Sequence, residues 1–203
     1  MREHGLELSK GRFESFSDGI FAFAITLLVL EIHLPDRIGA QTPNGEQARA
    51  LLALWPQYLV YFTSFATIGI MWINHHALFR YIERITWQMV MSNLGLLMLI
   101  VFLPFPNEVL ARLGLTPVAT AYYGLTVTLI SIAYFGVYRA VAAQHREVAA
   151  PITMWSIVGL TFYPLATLVG WFVPVLGIAL MVALAFWYML PSNISRAVIK
   201  PKL

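Results

Sequence analysis

The sequence predicts an all-α membrane protein, one domain over residues 1–203 built from six transmembrane helices, with both termini in the cytoplasm. Three observations predict it. Hydrophobic residues make up 59% of the chain and charged ones 11%, well under the roughly 25% charge of a soluble domain. The apolar residues fall into six runs near the length of about 20 that a bilayer-spanning helix needs. The basic residues lie on alternate sides of those runs, as the positive-inside rule requires.

The first run, Phe16–Leu34, follows a polar segment and resembles a signal peptide in position only. Glu3, Glu7, Glu14 and Asp18 precede or enter it, it is too long for a signal h-region, and no small-residue cleavage site follows. It is retained as the first membrane helix. Pro35–Gln47 is rich in Pro, Gly, Asn and Asp and reads as a loop. Further helices are expected over Leu51–Arg80, Thr86–Leu103, Pro117–Arg139, Pro151–Gly170 and Pro174–Leu190, the last two joined by a very short turn near Trp171.

In this layout Arg2, Lys10, Arg12, Arg80, Arg84, Arg139, Arg146, Arg196, Lys200 and Lys202 share one side, against Arg37, Arg49 and Arg112 on the other. The richer side is the cytoplasm, and an even number of spans places both termini there. Trp55, Trp87, Trp171, Trp187 and Tyr188 fall near helix ends, where amphipathic rings seek the headgroup zone. The scattered basic residues do not form the stripe of a nucleic-acid surface. With no cysteine in the chain, disulfides, zinc-thiolate sites and thiol catalysis are excluded.

A charge inside the bilayer marks function by default, yet the helix centres carry none. Asp18 and Glu31 lie near opposite ends of the first helix, and His75 and His76 near one end of the second. Proton-coupled transport lacks its midplane carboxylate, and sodium-coupled transport its paired broken helices. The adjacent histidines diverge by about 100° on a helix and lack the i, i+4 spacing of a zinc protease. No enzyme, cofactor or metal site is expected.

The first helix carries the signal. At about 100° per residue, Phe23, Thr26, Leu27 and Leu30 fall within roughly 100° of one another. Periodicity alone lets this stripe pack against neighbouring helices. Asp18 points about 140° away from Phe23 and, if buried, needs a partner such as Arg12 or a histidine, or else protonates.

The run from Arg12 to Ile32, with Phe16-Ser17-Asp18 a few residues after the arginine, resembles the prokaryotic members of the transmembrane protein 175 family, relatives of the lysosomal potassium channel. Trp72, His75 and Phe79 match a second arrangement of that family, W-x-x-H-x-x-x-F. The resemblance implies a homotetramer around a central pore lined by the first helix, about residues 16–34, with Phe23, Thr26, Leu27 and Leu30 facing the ion path. It implies a polar structural network of Arg12, Ser17, Asp18, Trp72 and His75 at the cytoplasmic end. Phe23 departs from the branched aliphatic residue usual at the constriction. Glu31 either concentrates cations at the pore mouth or is a solvated helix-end residue.

The function implied is a cation channel in a prokaryotic plasma membrane, passing K+ in preference to Na+. No Thr-Val-Gly-Tyr-Gly filter is present, so discrimination rests on side chains. Its partners would be its own copies, membrane lipids and monovalent cations, with no nucleic acid. A transporter or proton-leak pathway on the same scaffold, and a non-conducting membrane scaffold, are the alternatives.

Overall fold

The computed structural model describes residues 9–144 and 149–189, so Arg2, Arg146, Arg196, Lys200, Lys202 and both termini lie outside the described residues. Eight helices follow in order: α1 (Lys10–Leu27), α2 (Asn44–Ala53), α3 (Trp55–Phe79), α4 (Trp87–Phe102), α5 (Pro104–Leu113), α6 (Pro117–Ala142), α7 (Ala149–Phe172) and α8 (Pro174–Met189). A 3₁₀ turn, Leu28–Glu31, extends α1.

Where these bounds differ from the sequence expectation, local chemistry explains the difference. The first helix starts six residues early, at Lys10, and ends at Glu31 rather than Leu34. Pro35 biases the residue before it toward extended backbone, and His33 N–H is drawn off to Gln57 Oε1 at 3.1 Å. The helix expected over 51–80 is two helices bent by 42° at Leu54, the first of which reaches back to Asn44, inside the expected Pro35–Gln47 loop. Pro56 has no amide for the helical ladder and fits the first turn of a new helix instead. Pro104 likewise opens α5, which continues α4 across a single residue and was not expected from sequence. Thr86 and Thr116 cap α4 and α6 by accepting the amides of Met89 and Ala119.

α1 runs antiparallel to α3 in a steady register. Lys10 Nζ donates to the carbonyls of Arg80 and Ile82, Phe13 stacks on Phe79, Asp18 meets Trp72, and His33 meets Gln57. α1 also packs on α4. α6 and α7 form the most extensive pair, and α8 folds back on α7. Glycine permits that approach. A Cβ on Gly177 would strike the backbone of Gly170, and one on Gly124 would strike Thr167 and Met181, the small-residue packing by which helices associate in lipid.

Among the described residues, Lys10–Glu31, Trp87–Leu113 and Pro117–Ala142 are each long and apolar enough to cross a membrane, and α2 with α3 makes a fourth such unit if the bent pair is one span. Ile157–Phe172 and Pro174–Tyr188 are shorter apolar helices. Lys10, Arg80 and Arg84 gather at one end of the bundle, where Gln144 beyond α6 bonds both the N–H and the carbonyl of Arg84.

Candidate functional site

α1 has two unlike faces. Phe13, Ser17, Phe21, Ala24 and Leu28 are buried against α3 and α4. The opposite face is bare: Phe16, Phe23 and Leu30 are 51%, 55% and 63% exposed, Thr26 is exposed beside them, and Leu27 is half-buried. Leu30 keeps its place on this stripe although it lies beyond the α-helix proper. A 3₁₀ turn eclipses residues three apart, so Leu30 stands over Leu27. Thr26 Oγ donates its proton to the carbonyl of Phe23 at 2.8 Å, which leaves only acceptor lone pairs facing outward.

The packed face is fixed by two polar contacts. Asp18, half-buried, accepts from Trp72 Nε1 at 2.8 Å. Behind it a buried relay runs through three helices: His75 Nε2 to Asn93 Oδ1 at 2.8 Å, Asn93 Nδ2 to Ser17 Oγ at 2.9 Å, and Ser17 Oγ to the Phe13 carbonyl at 3.0 Å. Because the Asn93 amide donates to Ser17, its oxygen faces His75, and the imidazole carries its proton on Nε2. The His75 ring sits 3.8 Å from that of Phe79 and 5.2 Å from that of Phe21, centroid to centroid.

Of the residues that the resemblance groups in one network, the structure joins Asp18 to Trp72 and, through Asn93, Ser17 to His75. Arg12 stands apart. Six residues separate it from Asp18, about 120° around the helix, so it lies exposed in line with Phe23, and Trp72 is the partner that Asp18 finds among the described residues. Asn93, the centre of the relay, was missed. Its signal was available as an uncharged amide in the apolar run Val90–Phe102, a group that must find a partner across helices.

Ser64 was missed too. Its hydroxyl meets Asn107 Oδ1 and Tyr123 OH, each at 2.9 Å, joining α3, α5 and α6. At the far end of α1, half-buried Glu31 lines a small cleft with Leu28, Gln57, Tyr61 and Asn107. Among the described residues no group of three or more His, Cys, Asp and Glu side chains is arranged to hold a metal ion.

A family model described as the endosomal/lysosomal potassium channel TMEM175 matches residues 12–104, which contain most of α1, all of α2, α3 and α4, and both polar contacts. A potassium channel of Chamaesiphon minutus is 37% identical over 194 residues, covering 90% of this chain and 95% of its own length. This chain belongs to the TMEM175 family. The TMEM175 fold extends over the whole bundle: the crystal structure of a lysosomal potassium-selective channel TMEM175 homolog from Chamaesiphon minutus matches with a TM-score of 0.82, covering 91% of this chain and 98% of that one. The endosomal/lysosomal proton channel TMEM175 of Rattus norvegicus is 31% identical over 182 residues, 80% of this chain but 36% of the rat protein. With these TMEM175 relatives and its apolar spans, the chain is a multi-pass membrane protein of a channel family, not an enzyme family.

Proposed function

We propose that this protein is a potassium-preferring cation channel of a prokaryotic plasma membrane. Four copies, each crossing the bilayer six times with both termini cytoplasmic, surround a pore lined by the bare face of α1. The observation that carries the reading is the two-faced packing of α1. One face is pinned by Asp18–Trp72 and by the His75–Asn93–Ser17 relay, while Phe23, Thr26 and Leu30 remain uncovered.

Fourfold repetition turns that stripe into stacked rings. Phe23, Leu27 and Leu30 supply apolar constrictions that gate by dewetting. Thr26 supplies four oxygens whose protons are already committed to the Phe23 carbonyl, so a partly dehydrated cation meets acceptors only. Glu31, at the end of the same helix, adds negative potential at the mouth and raises the local cation concentration. K+ is favoured as the permeant ion because the relative named a potassium channel is matched over 95% of its length, whereas the rat relative named a proton channel is matched over 36%.

Planar-bilayer current from the purified protein, with K+ and Na+ on opposite sides, tests the proposal. The expected result is a reversal potential displaced toward that of K+, and a larger conductance in Phe23→Ala, where a bulky ring leaves the constriction. A reversal potential that follows an imposed pH gradient instead would assign the pore to protons. A wild-type current untouched by Phe23→Ala would remove α1 from the ion path.

A further inference from the structure

The turn between α7 and α8 is short and uncharged. It is one residue long, Val173, and from Trp171 to Leu176 every residue but half-buried Pro174 is exposed, with Trp171 at 51%, Phe172 at 73% and Val175 at 64%. All are apolar. No charged residue occurs in the sequence between Glu147 and Arg196, so two helices and their turn carry nothing that holds the tip in water. The connection from α1 to α2 at the same end of the bundle contains Asp36, Arg37 and Gln41.

The tip can stay in lipid because its backbone is largely satisfied. Val173 N–H bonds the Val169 carbonyl at 2.8 Å and Gly177 N–H the Val173 carbonyl at 3.0 Å, while Pro174 has no N–H to satisfy. Gly170 and Gly177 press the two helices together beside the turn, so no gap is left between them for water. The last carbonyls of α7 and the first amides of α8 still lack helical partners by position. That fixes the depth: the tip belongs at the boundary of acyl chains and headgroups, where Trp171 is also most favourable.

We infer that the α7–α8 tip is a lipid-seated wedge, its exposed side chains on acyl chains of the leaflet at the Glu31 end of the bundle. A second copy of the chain is the competing occupant. It suits the tip poorly, since consecutive residues there are exposed and so point to different sides, whereas the stripe on α1 is a single face suited to a neighbouring helix.

The natural absence of cysteine makes the test direct. Phe172→Cys, and Leu176→Cys as a second site should the first not fold, are labelled with bimane and reconstituted into phosphatidylcholine vesicles. Nitroxide-bearing acyl chains should abolish most of the fluorescence at either site, and iodide present on both sides should remove little of it. Asp36→Cys, in the loop at the same end, should show the reverse. Iodide quenching at Phe172→Cys equal to that at Asp36→Cys would put the tip in water, and protection from both quenchers would put it under protein; either overturns the inference.

Discussion

At the scale of single residues, the most consequential side chain in the packed half of the site is Asn93. Its amide serves two partners on two other helices and is fully buried. Asn93→Ala strands His75, which is 1% exposed, and a buried polar group left without a partner costs about 1–3 kcal/mol. Ser17→Ala leaves the His75–Asn93 bond in place and loses one interhelical bond of the relay instead of two, stranding only Asn93 Nδ2. Thermal unfolding in detergent should therefore rank Asn93→Ala clearly below Ser17→Ala. Equal losses would show that the relay is not the unit described. The stripe of Phe23, Thr26, Leu27 and Leu30 was legible from helical periodicity, as was the turning of Asp18 away from it. The partners were not: Arg12 or a histidine was expected for Asp18, and the choice of Trp72 depends on the antiparallel register of α1 and α3, since contacts 54 residues apart leave no local trace. Asn93 escaped because a scan for charges inside the bilayer passes over a neutral amide.

At the scale of elements, hydropathy places the apolar runs but not the breaks within them. Pro56 and Pro104 both sit where one apolar stretch becomes two helices. In one case sequence reasoning ran through the proline and in the other it stopped at it, although proline's tolerance in the first turn of a helix governs both. Packing between α6, α7 and α8 was equally hidden, since a glycine at a helix contact and one on a free surface look alike in sequence. The structure separates them. A Cβ at Gly177 meets the Gly170 backbone, which no rotamer change relieves, while a Cβ at Gly136 meets nothing within 4 Å. Gly177→Ala should cost about 1–3 kcal/mol by overpacking, and Gly136→Ala should gain roughly 0.5–1 kcal/mol from helix propensity. Opposite shifts in unfolding temperature are the expected result, and a tolerated Gly177→Ala would contradict the close approach of α7 and α8.

At the scale of the whole molecule, residues that hold one protomer together and residues that hold copies together should separate experimentally. Asp18 has its partner within the chain, Trp72 Nε1 at 2.8 Å. Arg12 lies exposed on the same bare face as Phe23 and finds no partner among the described residues of its own chain. If four copies meet along that face, the guanidinium is positioned to bond groups of a neighbour, and a charged group at such a contact contributes chiefly to association. Asp18→Ala should then lower the unfolding temperature of the protomer, whereas Asp18→Asn, which still offers Trp72 an oxygen, should lower it less. Arg12→Ala should leave protomer unfolding nearly unchanged and shift the population from tetramer toward smaller species, read by native mass spectrometry or by size exclusion with light scattering. The outcome that breaks this division of labour is an Arg12→Ala protein that remains tetrameric but unfolds at lower temperature, because the arginine would then act inside the subunit and the bare face of α1 would lose its basic contact between copies.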